Sequence, residues 1–297
     1  MKQSKCKLCA RNCNIIRDES IGYCKSNNDI KIAKVMVHMW EEPIISGTNG
    51  SGAIFFSNCN LRCVFCQNYK ISHNGNGKYI TSADLADIMK NLEAQGVHNI
   101  NLVTPTHYTN QIIEALNIYK PNIPIVWNTN GYENIETIKK LKDYVDIFLF
   151  DLKYFNNNLS KKYSSADNYF DVATKNIMEA RTLIPQDLIE DGIMKKGIII
   201  RHLVLPNCTN DSIHILQWIK ENLGSTLVSV MSQYAPYFKA HNYPEINRKL
   251  TKLEYKRVVA MCDNLNLNGF VQDMDSATDD YVPDFDQELD LSSLTKK

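Results

Sequence analysis

Short apolar runs alternate with segments of helical periodicity from residue 50 onward. Each run is rich in β-branched or aromatic residues and has the length of a strand with an apolar centre. This pattern predicts six strands. They lie at 53–57, 99–104, 123–129, 145–152, 197–205 and 226–234.

The segments between these strands show the spacing of amphipathic helices. In 81–96, apolar residues recur three and four positions apart, and Thr81 with Asp84 forms a capping-box signature. Gly96 predicts the end of this helix. Similar patterns predict helices from Asn110, at 134–144, at 211–224 and at 251–265, and a helical region at 160–184 that SSADNY interrupts.

Strands that alternate with helices predict right-handed βαβ units and a parallel α/β sheet. The mostly apolar strand centres fit a sheet that is covered on both faces. Six units are fewer than the eight of a closed barrel, so the pattern allows an open, partial barrel or a doubly wound sheet. In both folds the functional site lies at the carboxyl ends of the strands.

The two ends of the chain differ from this middle part. Residues 1–35 carry four cysteines and little periodicity, which predicts a small metal-binding module ahead of a main domain at 36–272. Residues 273–297 form an acidic tail, with eight acidic side chains between 273 and 290. Such a composition favours a solvated segment. Tyr281, Pro283 and Phe285 leave open that part of it orders as a lid over the site.

Composition and charge narrow the possible partners. Lys+Arg and Asp+Glu both number 33, so a formal net charge of zero gives no electrostatic reason to expect nucleic acid as a partner. No apolar run has the length of a signal peptide core or a membrane span, which predicts a cytoplasmic protein without a membrane partner. In that reducing compartment, clustered cysteines more often bind metal than form disulfides.

Three of the nine cysteines follow the first predicted strand. Cys59, Cys63 and Cys66 have C-x3-C-x2-C spacing, and thiolates select zinc or iron–sulfur clusters. Three thiolates can hold three irons of a [4Fe–4S] cluster and leave the fourth open, as catalytic metals require. The alternative is a zinc knuckle that takes a distant fourth ligand such as His73.

This motif, its position after the first strand and the βα repeat resemble the radical S-adenosylmethionine (SAM) superfamily. Phe65 matches the aromatic residue usual before the last cysteine, and Asn68 matches the CxN of pyruvate formate-lyase activating enzymes. The stretches 37–52, 98–108 and 200–206 resemble an uncharacterised activating-enzyme-like branch. The resemblance covers most of 6–285. It implies a partial (βα)6 TIM-like barrel with a [4Fe–4S] cluster whose open iron binds SAM.

The resemblance also implies roles for residues at the strand ends. Asn128, Thr129 and Asp151 would help to hold a monovalent cation beside the SAM carboxylate. Lys153 and Arg201 would face the SAM carboxylate or ribose, where a cation complements an anion. From spacing alone, Asp151 and Lys153 could instead be a solvated ion pair beyond a strand.

Two positions depart from the activating enzymes. Asn128 stands where they usually carry an acidic residue, and 104-TPTH-107 replaces the Gly-Gly-Glu segment that receives the SAM amino group. The hydroxyls of Thr104 and Thr106, or backbone carbonyls, are the remaining candidates to accept the SAM ammonium. His107 is either a proton or substrate contact or a hydrogen-bonded loop histidine.

Four further cysteines occur near the amino terminus, at Cys6, Cys9, Cys13 and Cys24, with Gly22 permitting a tight turn. Four thiolates make a closed site that suits either tetrahedral zinc or a second iron–sulfur cluster, and the residues do not decide between them. Cys208 and Cys262 stand alone, and we interpret them as small buried hydrophobic residues.

The function implied is a radical SAM enzyme that reductively cleaves SAM to a 5′-deoxyadenosyl radical and abstracts hydrogen from a substrate. A one-electron donor such as flavodoxin or ferredoxin would serve it. The substrate implied by the resemblance is a glycyl-radical enzyme, and a peptide, tRNA or small metabolite is the alternative. The substrate pocket would include His202, Gln233, Tyr234 and the tail. The non-enzymatic alternative is an iron–sulfur electron carrier or a zinc-stabilised binding module.

Overall fold

The computed structural model describes residues 5–274, 283–286 and 289–290. Its strands are β1 (Ile30–His38), β2 (Ser51–Phe56), β3 (Lys78–Ile80), β4 (Ile100–Val103), β5 (Ile125–Thr129), β6 (Ile147–Asp151), β7 (Leu188–Glu190), β8 (Ile193–Leu203), β9 (Leu227–Met231) and β10 (Gly269–Val271). Most of them form one sheet, in the order β10-β9-β8-β6-β5-β4-β2-β1-β3, and β7 pairs with β8 only.

Helices connect these strands. Two are single turns at the barrel ends, and the longer ones are amphipathic. They are α1 (Pro43–Ser46), α2 (Tyr69–Ser72), α3 (Ser82–Ala94), α4 (Thr109–Ile118), α5 (Ile135–Lys140), α6 (Asn157–Ser164), α7 (Tyr169–Leu183), α8 (Thr209–Leu223) and α9 (Lys252–Asn264). No helix in the described ranges is both long and apolar enough to cross a membrane.

The six predicted strands all form, as β2, β4, β5, β6, β8 and β9. They are parallel, and each pairs with the next of the six along the chain. This sequential order excludes the doubly wound alternative, whose strand order reverses at a switch point. Within the described residues, no pairing closes the sheet between β3 and β10. The partial, TIM-like α/β barrel is therefore confirmed.

Local sequence signals placed two helical regions well. At α3 the capping box forms: Thr81 Oγ1 accepts from the Asp84 N–H at 3.1 Å, and the Asp84 carboxylate accepts from the Thr81 N–H at 2.9 Å. The region 160–184 divides into α6 and α7, because the chain turns at Ser165, whose φ is +55°. The polar SSADNY sequence was the signal for that break.

The sequence did not reveal β1, β3, β7 or β10. The nine-residue β1 pairs antiparallel with β2 and with β3, so the sheet begins at Ile30 and the predicted module boundary at residue 35 falls inside this strand. The other three have three residues each, which is too short to show a periodicity. Their pairing depends on neighbouring strands rather than on local sequence.

The concave face of the sheet is filled at its amino-terminal end. Ile45 of α1 packs there with Met194, Ile147 and other apolar side chains of the strand starts. Asn99 Nδ2 donates to the Ile45 carbonyl at 2.7 Å and holds α1 in place. Because α1 closes this end, the open space of the barrel lies at the carboxyl ends of the strands.

Part of the acidic tail lies against the barrel. Phe285 is buried, and its ring meets that of Phe55 edge-on at 5.5 Å. Lys34 Nζ donates to the Asp284 carbonyl at 2.7 Å, and Lys70 pairs with Asp286. These contacts lie on β1, β2 and α2, whereas β10 lies at the other edge of the sheet. Tyr281 and most of the predicted tail fall outside the described residues.

Candidate metal and cofactor site

A cavity of about 190 Å³ opens at the carboxyl ends of the parallel strands. The fold brings almost every residue predicted to bind the cluster or SAM to its wall, although these residues come from five separate segments of the chain. Those lining it are Cys59, Cys63, Phe65, Cys66, Asn68, Thr104, Asn128, Thr129, Asp151, Lys153 and Arg201. Thr106 is not among them.

The loop that carries the three cysteines lies between this cavity and the amino-terminal module. Cys59 and Cys63 line the cavity, while the polar residues between and before them bond to the module. Asn58 Nδ2 donates to Ser26 Oγ at 3.0 Å, and Asn60 accepts at its carbonyl from Arg11. Arg62 donates to the Tyr23 carbonyl. The cysteine side chains of the loop therefore face the cavity, while the polar residues between and before them attach the loop to the amino-terminal module.

Each of the three sulfur atoms has a polar neighbour. Cys59 Sγ accepts from the Leu61 N–H at 3.4 Å and from Asn130 Nδ2 at 3.5 Å. Ser164 Oγ donates to Cys63 Sγ at 3.0 Å, and Ser72 Oγ lies 3.2 Å from Cys66 Sγ. Hydrogen bonds to ligating sulfur stabilise the thiolate and tune the reduction potential of iron–sulfur clusters.

The buried thiols of this loop favour a bound metal, whose positive charge would stabilise their thiolate forms. Burial, with repulsion from Cys63, raises the pKa of Cys59 to about 12 and that of Cys66 to about 11. The thiols therefore lose their protons only to a metal that offsets the buried negative charge. In the described part of the chain, no three His, Cys, Asp or Glu side chains are arranged to hold a single ion. A cluster would not need the three sulfur atoms to converge on one ion, because each cysteine would bind a different iron.

His73, the distant ligand of the zinc alternative, does not line the cavity. Its ring lies 4.6 Å from that of Phe238, and its Nδ1 is 2.9 Å from Ser72 Oγ. Burial and nearby Arg62 lower the pKa of His73 to about 4. His73 therefore contacts Ser72, which in turn contacts Cys66, and its ring does not reach the cavity where a fourth ligand would lie.

Arg201 is the centre of an ion-pair network on the floor of the cavity. Its Nε donates to Asp151 Oδ1 at 2.8 Å, one terminal nitrogen donates to Glu41 Oε2 at 2.8 Å, and the other donates to Asn128 Oδ1 at 2.6 Å. Lys153 Nζ donates to Asp151 Oδ2 at 2.8 Å. Burial disfavours ionisation of Asp151, but Arg201 and Lys153 outweigh it and lower its pKa.

This network changes the interpretation of two predicted roles. Asp151 and Lys153 are about four-fifths buried (19% and 20% exposed side chains), so they are not a solvated pair. Both Asp151 oxygens and the Asn128 amide oxygen, predicted to help hold a monovalent cation, accept from protein cations instead. Glu41 was missed by the sequence analysis. It reaches the network from the segment before α1, at the far end of the barrel.

The side chains of the segment 104-TPTH-107 lie in three different environments. Thr104 lines the cavity with a left-handed backbone (φ +59°), a conformation that is unfavourable for a β-branched residue. Thr106 is fully buried and donates to Glu133 Oε1 at 2.7 Å. His107 is also buried and lies among the amino-terminal cysteines. Of the two threonine hydroxyls proposed for the SAM ammonium, only that of Thr104 is on the cavity.

The predicted substrate-pocket residues are also split. Gln233 lines the cavity. Tyr234 packs edge-on against Phe65 at 5.6 Å and donates to the Ile246 carbonyl. His202 is buried below the rim, with its ring nitrogens 2.8 Å from the Leu152 carbonyl and from Ser212 Oγ. Tyr234 and His202 therefore support the cavity wall and do not line it.

The four amino-terminal cysteines surround a small cavity of their own. Burial, together with Cys24, Cys6 and Cys13, raises the pKa of Cys9 to about 12. Gly22 packs closely here, since a Cβ atom added to it would lie 3.3 Å from Cys13 Sγ. The four thiols therefore line one cavity, although within the described residues they are not arranged around a single ion.

A family model described as the radical SAM superfamily matches residues 53–219, which contain the cysteine loop and the first five parallel strands. The chain belongs to the radical SAM superfamily. It is 34% identical over 276 residues to Uncharacterized protein MJ0674 of Methanocaldococcus jannaschii, covering 89% of this chain and 75% of that protein.

Two solved structures share the radical SAM fold at low identity. Methylornithine synthase (PylB) has a TM-score of 0.52 at 16% identity and covers 82% of this chain and 79% of its own. SuiB of Streptococcus suis, in a structure with its precursor peptide SuiA, has a TM-score of 0.52 at 18% identity. That match covers 73% of this chain and 47% of SuiB, so the chain spans about half of SuiB's length.

Three side chains that support this site were not predicted from the sequence. Glu133 is fully buried and accepts from Thr106, Thr129 and Trp127, which fixes the ends of β4 and β5. Ser164 donates to the sulfur of Cys63, and Asn130 donates to the sulfur of Cys59. Each acts through a contact between distant segments. The one local signal is for Asn130, which directly follows Thr129 at the end of the predicted strand 123–129.

Proposed function

We propose that the chain binds a [4Fe–4S] cluster through Cys59, Cys63 and Cys66 and cleaves SAM reductively at the iron that these thiols leave open. When bound, the reduced cluster supplies one electron that breaks the S–C5′ bond of SAM and gives methionine and a 5′-deoxyadenosyl radical. That radical takes a hydrogen atom from a substrate. The observation that carries the proposal is the single cavity that joins the three thiols to the predicted SAM-binding residues.

Several cavity side chains have hydrogen-bonding capacity left for a ligand. The Asn68 Oδ1 atom is buried without a partner among the described residues, so it can accept from SAM. Arg201 has five N–H groups and uses three of them on Asp151, Glu41 and Asn128, which leaves two for a carboxylate. The apolar ring of Phe65 offers a surface for the adenosyl part.

The same network supports the proposal that Arg201 replaces the monovalent cation of the activating enzymes. SAM cleavage is then expected to change by less than about twofold when potassium and sodium chloride are exchanged for tetramethylammonium chloride at constant ionic strength. The initial rate of 5′-deoxyadenosine formation checks this. A large loss of rate that potassium alone restores would show that a metal cation does bind.

The test of the main proposal is direct. Protein reconstituted with iron and sulfide under anaerobic conditions and reduced with dithionite is expected to convert SAM to 5′-deoxyadenosine and methionine. Added SAM should also change the electron paramagnetic resonance signal of the reduced cluster. A cluster-loaded protein that shows neither result is an electron carrier or a binding module, and the enzyme proposal fails.

For the substrate, resemblance to the activating-enzyme-like branch supports a glycyl-radical protein, with flavodoxin or ferredoxin as the electron donor. Peptides, tRNA and small metabolites are the other classes. The amino-terminal cysteines would hold zinc or a second cluster. Deuterium that passes from a labelled candidate into 5′-deoxyadenosine identifies the substrate, and no transfer from a glycyl-radical partner rules that partner out.

A further inference from the structure

His107 adds a fifth potential ligand to the amino-terminal cysteine site. It comes from the short turn after β4, far along the chain from Cys24, and yet it lines the same small cavity as all four cysteines. Only 2% of the residue is exposed. Arg17 of the module donates to the His107 carbonyl and fixes this arrangement.

The hydrogen bond of the imidazole defines its tautomer. His107 Nε2 lies 2.7 Å from the carbonyl oxygen of Ser57, and a carbonyl only accepts, so Nε2 carries the proton. A second proton on Nδ1 would place a buried charge without an acceptor, so the ring is neutral. Nδ1 therefore has a bare lone pair. It is buried and has no partner among the described residues.

A bare imidazole nitrogen beside four thiols has the chemistry of a metal ligand. Ligating histidines generally donate their other N–H to a carbonyl or carboxylate, as His107 does to Ser57. A water molecule is a poorer occupant, because it needs two to four polar partners and this cavity is lined largely by thiols and aliphatic side chains.

We propose that His107 Nδ1 ligates the metal held by the amino-terminal cysteines, either a zinc ion or an iron of a cluster. The four thiols and Nδ1 then provide five donors for a metal centre that needs four ligands. To bind one zinc ion the thiol side chains must rotate toward it, whereas in a cluster each ligand binds a different iron. Both metals are thiophilic and accept imidazole nitrogen.

The ligand would connect the two cysteine sites. Through Nε2, His107 holds the Ser57 carbonyl, two residues before Cys59. A metal at the amino-terminal site would thus position the start of the loop that carries Cys59, Cys63 and Cys66. The inference concerns metal binding and does not depend on SAM cleavage, so the two proposals can fail separately.

The test uses the full chain with Cys59, Cys63 and Cys66 changed to serine, so that only the amino-terminal site can bind metal. In that background, His107→Gln keeps an N–H donor toward Ser57 and removes the Nδ1 lone pair. The affinity for zinc or iron, measured by competition with a chelator, is expected to fall at least about tenfold. His98→Gln, which lies outside both cysteine sites, should leave it unchanged.

A second measurement needs no substitution at His107. X-ray absorption of the metal-loaded chain is expected to show one imidazole nitrogen among the sulfur ligands, and cobalt or iron spectra should shift in His107→Gln. All-sulfur coordination overturns the proposal, as does an unchanged affinity in a His107→Gln protein whose circular dichroism shows that it folds. A site that binds neither metal also overturns it.

Discussion

Replacement of Cys63 by alanine is expected to reduce SAM cleavage to background. Cys63 lines the cavity between the other two cysteines of the loop, and its sulfur accepts from Ser164 Oγ at 3.0 Å. Two thiols cannot hold a four-iron cluster with one open iron in a defined position. The measurements are iron content after reconstitution and 5′-deoxyadenosine formed after reduction.

The matched control is Cys262→Ala. Cys262 is buried in α9, away from both cysteine sites, so this variant should retain the cluster and its activity. The fold of Cys63→Ala can be checked by circular dichroism. If Cys63→Ala keeps both four irons and SAM cleavage, the assignment of this loop is wrong.

Replacement of Arg201 by methionine is expected to lower the free energy of unfolding by about 3–5 kcal/mol. The substitution removes the cation but leaves the carboxylates of Asp151 and Glu41 buried, with side chains 19% and 8% exposed. Lys153 still pairs with Asp151, so Glu41 loses most. Urea unfolding followed by circular dichroism measures the change.

Two further variants distinguish the cost of leaving a buried carboxylate unpaired from the cost of losing any ion pair. Adding Glu41→Gln to Arg201→Met should restore part of the stability, because the double variant no longer buries an unpaired carboxylate there. Lys139→Met breaks an exposed pair with Glu136 and should lower the free energy of unfolding far less than Arg201→Met does. Equal losses in Arg201→Met and Lys139→Met would show that the network is not a buried one.

The sequence predicted the parallel part of the barrel because its signals are local. Apolar runs, helical periodicity and caps each depend on residues within one segment, and all six central strands formed. β1 was missed although it is nine residues long, because its two lysines and its position after the cysteine module hid it. The short strands at the edges form only where a neighbour offers backbone partners.

The site residues, like the strands, could be predicted only where the signal is local. The cysteines and the residues at strand ends could be placed, because parallel strands bring their carboxyl ends to one edge. Glu41 could not, since it enters the same cavity floor from the opposite end of the barrel. His107 illustrates the same limit. Thr104, three residues earlier, lines the larger cavity, whereas the side chain of His107 lines the small cavity of the amino-terminal cysteines.

The tail segment contributes to the cavity without entering it. Phe285 packs in one cluster with Ile71 and Val103, and both of these residues also line the cavity. A side chain from the last part of the chain therefore supports one wall of the cavity from behind. A substitution at Phe285 would change the packing of that wall without altering any residue that lines it.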